Sequence, residues 1–311
     1  AVGAMTIPIL VELGYDKTFS AAIVATAGGL GVIIPPSIPF IMYGLFTGTS
    51  VGEMFTAGIL PGCLIAACIC GYCVFYCITK GEDKEKVNKK MAELRSLGFG
   101  GVFKESFAAL LCPVIILGGI YTGWFTPTEA AAVSVFYAIL VSLFYYKSIK
   151  VTELWSFLSE SVKTYGGLAF VLAFATAFGR VLSLTKATKV VNDFILGNFS
   201  SSVTVLTVLV VIFLLLGMVM DTGPAIIILA PVLLPAVQEM GVHEVHFGVI
   251  LVCCLSIGLA TPPFGLDLFV AGNLADEPPM VVARNAVPFI IAFAISLLMI
   301  TYIPFLSTCL L

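Results

Sequence analysis

The sequence predicts an all-α, polytopic membrane protein built around an inverted repeat, and three observations predict it. First, 60% of the 311 residues are hydrophobic and only 11% are charged, whereas a soluble domain is about half apolar and roughly a quarter charged. Second, residues 54–79, 106–128, 130–146, 194–220 and 285–311 carry no charge at all, and about 20 apolar residues suffice to cross a bilayer as a helix. These runs are continuous and lack the alternation of a membrane barrel, so the backbone must be satisfied within helices. Third, a proline-marked pattern occurs twice along the chain.

The balance of charge narrows the function classes. A formal charge of −3 argues against nucleic acid as a partner and leaves the lipid bilayer as the principal surroundings. Of the nine cysteines, Cys63, Cys68, Cys70, Cys73, Cys77, Cys253 and Cys254 lie in apolar stretches without metal-ligand companions. They read as small hydrophobes in helices rather than a disulfide framework or a zinc site. The opening at Ala1, without methionine and inside an apolar stretch, predicts that further N-terminal residues belong to the full protein.

Orientation follows from the basic residues. The segment 80–104 holds seven of the fifteen, and lysine and arginine near membrane segments favour the cytoplasmic side. With this loop and its short amphipathic helix inside, 105–123 run outward, 128–146 return, and 164–184 run outward again. The polar stretch that follows reads as an interfacial arm. Residues 201–220 then dip in, Asp221-Thr222-Gly223-Pro224 breaks the helix, and 225–240 come back. Residues 245–272 cross inward and the last segment takes the C-terminus outside. Twelve basic residues are then at the inner side, and Arg180, Lys186 and Lys189 at the outer.

The repeat is gapless at an offset of 227. Pro8 falls on Pro235, Glu12 on Glu239, Gly14 on Gly241, Gly31 on Gly258, Pro35-Pro36 on Pro262-Pro263, and Pro61 on Pro288. The predicted topology sends 18–48 outward and 245–272 inward, so the copies are antiparallel, the construction of many secondary transporters. Each copy carries Gly-x-x-x-Pro-Pro in mid-crossing. Proline lacks an N–H and clashes with the carbonyl four residues back, so carbonyls around Gly31 and Val32, and around Gly258 and Leu259, are expected to lose helical partners. Such carbonyls are tolerated where they line a polar cavity or hold a cation, and sodium suits carbonyl and hydroxyl oxygens. The hydroxyls of Ser37 and Thr261 lie at these breaks. Asp221 stands alone between two apolar arms, which makes it a candidate site at the tip of a re-entrant hairpin, an N-cap, or both. Asp267 either faces the cavity or approaches the inner surface. Glu129 follows Pro127 and reads as a first-turn residue that satisfies the helix dipole.

At GVIIPPSIPFIMYG, FTAGILPG, YTGWFTPTEAAA, GMVMDTGPAIIILAPVLLPAV and HFGVILVCCLSIGLATPPFGLDLFVA the sequence resembles the large membrane subunit of tripartite ATP-independent periplasmic (TRAP) transporters, the DctM-like family. The resemblance runs over essentially the whole chain. It implies an elevator-type ion-transporter fold with two re-entrant helical hairpins and two broken transmembrane helices. One sodium site would use Gly31, Pro35 and Ser37. The other would use Asp221, Thr222, Gly258, Thr261 and Pro262. Ser37, Asp221, Thr261, Gly265 and Asp267 are the candidates for substrate contact, and the family usually carries asparagine where this chain has Asp267. The implied segments are 1–50 and 201–277 as transport parts, and 51–163, 164–200 and 278–311 as scaffold.

The implied function is sodium-coupled import of an organic acid such as sialic acid or a C4-dicarboxylate across the bacterial cytoplasmic membrane. Its implied partners are a periplasmic substrate-binding protein and a small four-helix membrane subunit, separate or fused. A stand-alone sodium–dicarboxylate symporter shares the repeat and the breaks. An intramembrane enzyme would want a nucleophile and base at membrane depth, and the histidines, His243 and His246, are expected in a short outer connection. A passive channel gives no account of two matched breaks.

Overall fold

The computed structural model describes residues 2–81 and 83–311, and its regular structure is entirely helical. The first copy of the repeat contains α1 (Val2–Glu12), α2 (Lys17–Gly28), α3 (Leu30–Ile33), α4 (Ile38–Thr47) and α5 (Val51–Lys80). There follow α6 (Lys84–Leu97), α7 (Phe99–Tyr121), α8 (Pro127–Leu140, continued by a π turn over Val141–Tyr145), α9 (Leu154–Leu184) and α10 (Ala187–Asn198). The second copy is α11 (Ser202–Gly217), α12 (Thr222–Glu239), α13 (Glu244–Leu259), α14 (Leu266–Leu274) and α15 (Pro279–Tyr302), with a last turn, α16 (Phe305–Thr308). Among the described residues, six helical stretches are long and apolar enough to cross a membrane: Lys17–Thr47, Val51–Lys80, Pro127–Tyr145, Val151–Leu184, Thr222–Glu239 and Pro279–Tyr302.

The repeat is carried through element by element at the same offset. Helices α1 and α12 end at Glu12 and Glu239, α2 and α13 start at Lys17 and Glu244, and α4 and α14 end at Thr47 and Leu274. Gly14 and Gly241 both have left-handed backbones, φ 96° and 82°, because each closes the tight turn between a hairpin arm and the broken helix, a conformation that costs glycine nothing. Asp16 and His243 are then the equivalent N-caps: Asp16 accepts from Phe19 N–H, and His243 Nδ1 from Val245 N–H. The Pro35–Pro36 and Pro262–Pro263 peptide bonds are both cis.

Asp16 gives a local prediction. Its carboxyl accepts from the Thr18 hydroxyl and the Phe19 N–H, which hold it below the ordinary aspartate range. A lowered folded-state pKa means the stabilisation is fully present above the usual carboxylate range. It is lost as pH falls through the lowered value. Asp16→Ala is expected to reduce stability by about 1 kcal/mol, with Asp16→Asn retaining the cap, as read by thermal unfolding of the purified protein.

The chain divides into two compact units. One comprises the residues up to Lys89 together with Thr176–Leu311, and so contains both copies of the repeat. Its centre is α13, which is buried at every position from Val245 to Leu259; a helix apolar on all sides belongs inside. Packing between the copies is reciprocal. Helix α2 packs on α14 and α15, and α13 on α4 and α5; α1 meets α14, and α12 meets α4. Such exchange of equivalent contacts is what a two-fold relation requires. The Tyr43 hydroxyl, fully buried, donates to the Glu244 carbonyl at 2.7 Å and ties α4 to the start of α13.

The other unit, Lys90–Ala175, is organised by the packing of α7 against α8. The Tyr137 hydroxyl donates to the Ala108 carbonyl at 2.7 Å across this pair. Thr126 and Glu129 form a capping box at the start of α8, with Glu129 accepting from Thr126 N–H and its hydroxyl. The first-turn role expected of Glu129 is therefore the one it has.

Two expectations about placement change. The boundary at 163/164 falls inside α9, which runs unbroken from Leu154; one lysine, Lys163, does not end a helix whose backbone bonds continue. The interruption at residues 199–201, between α10 and α11, falls where the interfacial arm is expected to give way to the segment from 201. His246 lies within α13, not in a connection, because the His243 cap starts the helix at once. It is buried, with Nδ1 2.6 Å from the Ser307 hydroxyl.

Candidate functional site

The first break runs from the end of α2 through Gly29, the single turn α3 and Ile34-Pro35-Pro36 to Ser37, the N-cap of α4. Ser37 is buried; its hydroxyl donates to the Val32 carbonyl and accepts from Phe40 N–H. Gly31 is exposed and Pro35 half-buried. Glycines in α5 admit the break: a Cβ on Gly58 would lie 2.8 Å from the Ile33 carbonyl oxygen, and one on Gly62 would lie 2.6 Å from Ile34.

The second break runs from Leu259 through Ala260-Thr261-Pro262-Pro263-Phe264 to Gly265, the N-cap of α14. The Thr261 hydroxyl donates to the Ile257 carbonyl at 2.7 Å, and Thr261 N–H donates to the Gly258 carbonyl at 2.9 Å. Gly265 is buried where a Cβ would meet the Leu259 and Thr261 carbonyl oxygens at 2.7 and 2.8 Å. Pro262 is half-buried.

Hairpin 2 is brought onto this break by glycine. Helix α11 ends at Gly217, and a Cβ on Gly258 would lie 2.4 Å from the Gly217 carbonyl carbon. Two backbones touch here, which only glycine allows. The hairpin tip follows at Met218–Asp221, shorter than the sequence suggests: Thr222, Gly223 and Pro224 already form the first turn of α12. Proline is harmless there because the early N–H groups of a helix have no partner within it. Asp221 caps the helix, accepting from Thr222 N–H at 2.7 Å, and Thr222 is buried beside it. The aspartate is only half-buried and keeps its second oxygen for another partner.

Asp267 lies between the copies. It occupies the first turn of α14, half-buried. A methyl on Gly28, in the first copy, would sit 3.3 Å from its Oδ2. This sets its carboxylate against the end of α2 in the first copy.

The structure groups Gly31, Pro35 and Ser37 at one break, and Thr261, Pro262 and Gly265 at the other. Gly258 holds hairpin 2, with Asp221 and Thr222, to the second. The donors are carboxylate, hydroxyl and carbonyl oxygens, and no group of three or more His, Cys, Asp or Glu occurs among the described residues. Such a set fits a hard cation and gives nothing to a soft one. One expectation needs correction: the carbonyls of Val32 and Gly258 are not stranded, since the Ser37 hydroxyl and Thr261 N–H reach them. Each carbonyl retains a second lone pair.

Residues 1–306 match the sequence profile described as "Tripartite ATP-independent periplasmic transporter, DctM component". The chain belongs to this family. Among its DctM-family relatives, the isethionate TRAP transporter permease protein DctMQ of Oleidesulfovibrio alaskensis is 37% identical over 304 residues, covering 98% of this chain and 47% of the relative. The C4-dicarboxylate TRAP transporter large permease protein DctM of Pseudomonas aeruginosa is 36% identical over 312 residues, covering 99% and 70%. The sialic acid TRAP transporter large permease protein SiaM of Vibrio cholerae is 31% identical over 305 residues, covering 97% and 70%. The chain thus spans about half the length of the first and about two thirds of the others.

Sequence reasoning gave no role to four positions that build the geometry: Gly28, Gly29, Gly217 and Ser256. Gly217 and Ser256 stand inside the quoted motifs, but their residue types do not mark the contacts they make. The signal available was the offset itself, since Gly29 and Ser256 are separated by 227 residues and meet in space.

Proposed function

We propose that this chain forms the core of the large permease of a tripartite, sodium-coupled uptake system for an organic acid. The observation that carries the reading is the convergence of hard oxygen donors at two equivalent double-proline breaks, one of them against a hairpin tip, in a member of the DctM family. Sodium enters as co-transported substrate: Gly31, Pro35 and Ser37 contribute to one site, and Asp221, Thr222, Gly258, Thr261 and Pro262 to the other. Ser37, Asp221, Thr261, Gly265 and Asp267 face the organic acid. Relatives named for isethionate, C4-dicarboxylates and sialic acid point to a small organic anion.

The two breaks and their hairpins move as one transport body through an elevator stroke, past a scaffold that includes α5 and α15. A periplasmic binding protein delivers the substrate and a small membrane subunit braces the scaffold; the relative named DctMQ supports the latter. The protein resides in the bacterial cytoplasmic membrane, with segment 80–104 cytoplasmic and the C-terminus periplasmic, as the distribution of lysine and arginine favours.

The test is uptake of labelled organic acids into proteoliposomes holding the complete transporter, with and without an inward sodium gradient and the binding protein. Uptake that needs both is the expected result. Sodium-driven uptake without the binding protein would instead indicate a stand-alone symporter, and uptake indifferent to sodium would remove the ion-site assignments.

A further inference from the structure

We infer that the Ser256 hydroxyl is a positioning group that couples the two ion sites across the repeat axis, so that occupancy of one break sharpens binding at the other. The inference rests on the sodium-coupled reading above and adds to it a residue outside both sites.

Ser256 is the one hydroxyl between Phe247 and Leu259, in a helix buried throughout. A buried hydroxyl must be hydrogen-bonded, and inside a helix the nearest acceptor is a carbonyl three or four residues back. Three other buried helical hydroxyls take that local route: Thr26 donates to Ala22, Ser296 to Phe293, and Thr301 to Leu297. Ser256 instead donates at 2.8 Å to the carbonyl of Gly29, its own repeat equivalent. Equivalent residues meet only where the axis relating the copies passes. The approach requires glycine, since a Cβ on Gly29 would lie 2.6 Å from the Ser256 oxygen.

From this bond a short path leads to each site. The Gly29 carbonyl also accepts from Val32 N–H at 3.2 Å, and the Val32 carbonyl accepts from the Ser37 hydroxyl. In the other direction, Ile257, the next residue, gives its carbonyl to the Thr261 hydroxyl. Leu255, the residue before, presents its carbonyl to Gly217 at the end of the hairpin arm. The path consists of backbone and side chains of two or three heavy atoms, so a displacement at one end has no long rotamer in which to dissipate.

The experiment measures initial uptake against sodium concentration in proteoliposomes holding the complete transporter. Wild type is expected to show a Hill coefficient above unity, with one ion improving the other's affinity by roughly tenfold. Ser256→Ala should bring the coefficient toward unity while uptake at saturating sodium stays within a few-fold. The double variant Gly29→Ala/Ser256→Ala refills the vacated space with a methyl and restores no hydrogen bond. It should recover thermal stability but not steepness, whereas a merely structural serine would recover both. If the alanine variants do not fold, Ser256→Cys keeps the volume with a weaker donor and should lie between. Unchanged steepness in Ser256→Ala, or its recovery in the double variant, would overturn the coupling alone. Sodium-independent uptake by wild type would overturn the coupling and the proposed function together.

Discussion

Replacing Asp221 by asparagine is expected to weaken sodium dependence by about 30-fold, the equivalent of the ~2 kcal/mol that a contact to a charged group contributes. The variant separates the two roles the residue holds. As N-cap, the Asp221 carboxylate accepts from Thr222 N–H at 2.7 Å, with the extended backbone of a cap, φ −67° and ψ 155°. Asparagine caps as well as aspartate, so α12 and the hairpin tip should keep their place. What asparagine removes is the negative charge beside the second break, where Thr261 and Asp267 also lie. Asp221→Ala removes charge and cap together, and should add a loss of stability of about 1 kcal/mol. Uptake against sodium concentration gives the affinity, and thermal unfolding gives the stability. If the asparagine variant kept the wild-type sodium dependence, Asp221 would be a cap and nothing more.

The second large effect is expected at Gly258. An alanine there would place its Cβ 2.4 Å from the Gly217 carbonyl carbon and 2.5 Å from the Gly217 Cα. Both are backbone atoms, so no side-chain rotation relieves the clash and α11 must withdraw from the break. Overpacking of this kind costs roughly 1–3 kcal/mol, and more where backbone opposes backbone. Because the withdrawal lifts the hairpin off the second break, uptake should fall at least about tenfold, the kinetic equivalent of ~1.4 kcal/mol. Gly217→Ala should behave alike, its Cβ meeting the Leu255 carbonyl oxygen at 2.8 Å and the Gly258 Cα at 3.1 Å. Gly197→Ala is the control. That exposed position in α10 has nothing within 4 Å, and the change should be neutral or stabilising by up to about 1 kcal/mol. Normal uptake by Gly258→Ala would separate the hairpin contact from transport.

Much of this architecture is legible before folding because its signals are local. A proline pair ends a helix wherever it stands, since the missing N–H and the ring clash belong to the residue. Gly14 and Gly241 mark turns because their left-handed backbone is available to glycine at little cost. The offset of 227 survives because helix breakers and caps occupy positions that packing neighbours cannot take over. Glu129 is read correctly for the same reason, since Thr126 and Glu129 form a self-contained box.

What failed to be legible depends on contacts between distant segments. The burial of His246 against Ser307 is settled by a partner 61 residues away, not by the residue itself. The break carbonyls looked stranded for a local reason instead: the Ser37 hydroxyl reaches Val32, and the Thr261 N–H reaches Gly258, only once the chain has turned at the break. By itself, then, the sequence determines an all-α membrane chain, two double-proline breaks in equivalent places, and the oxygen chemistry around them; helix termination and hydrophobic length need only nearby residues. Tertiary structure alone decides that Gly217 lies on Gly258, that Asp267 faces Gly28, and that Ser256 meets Gly29. Those meetings arise when two copies pack reciprocally, and close approach across an axis is a property of the pair that neither segment encodes alone.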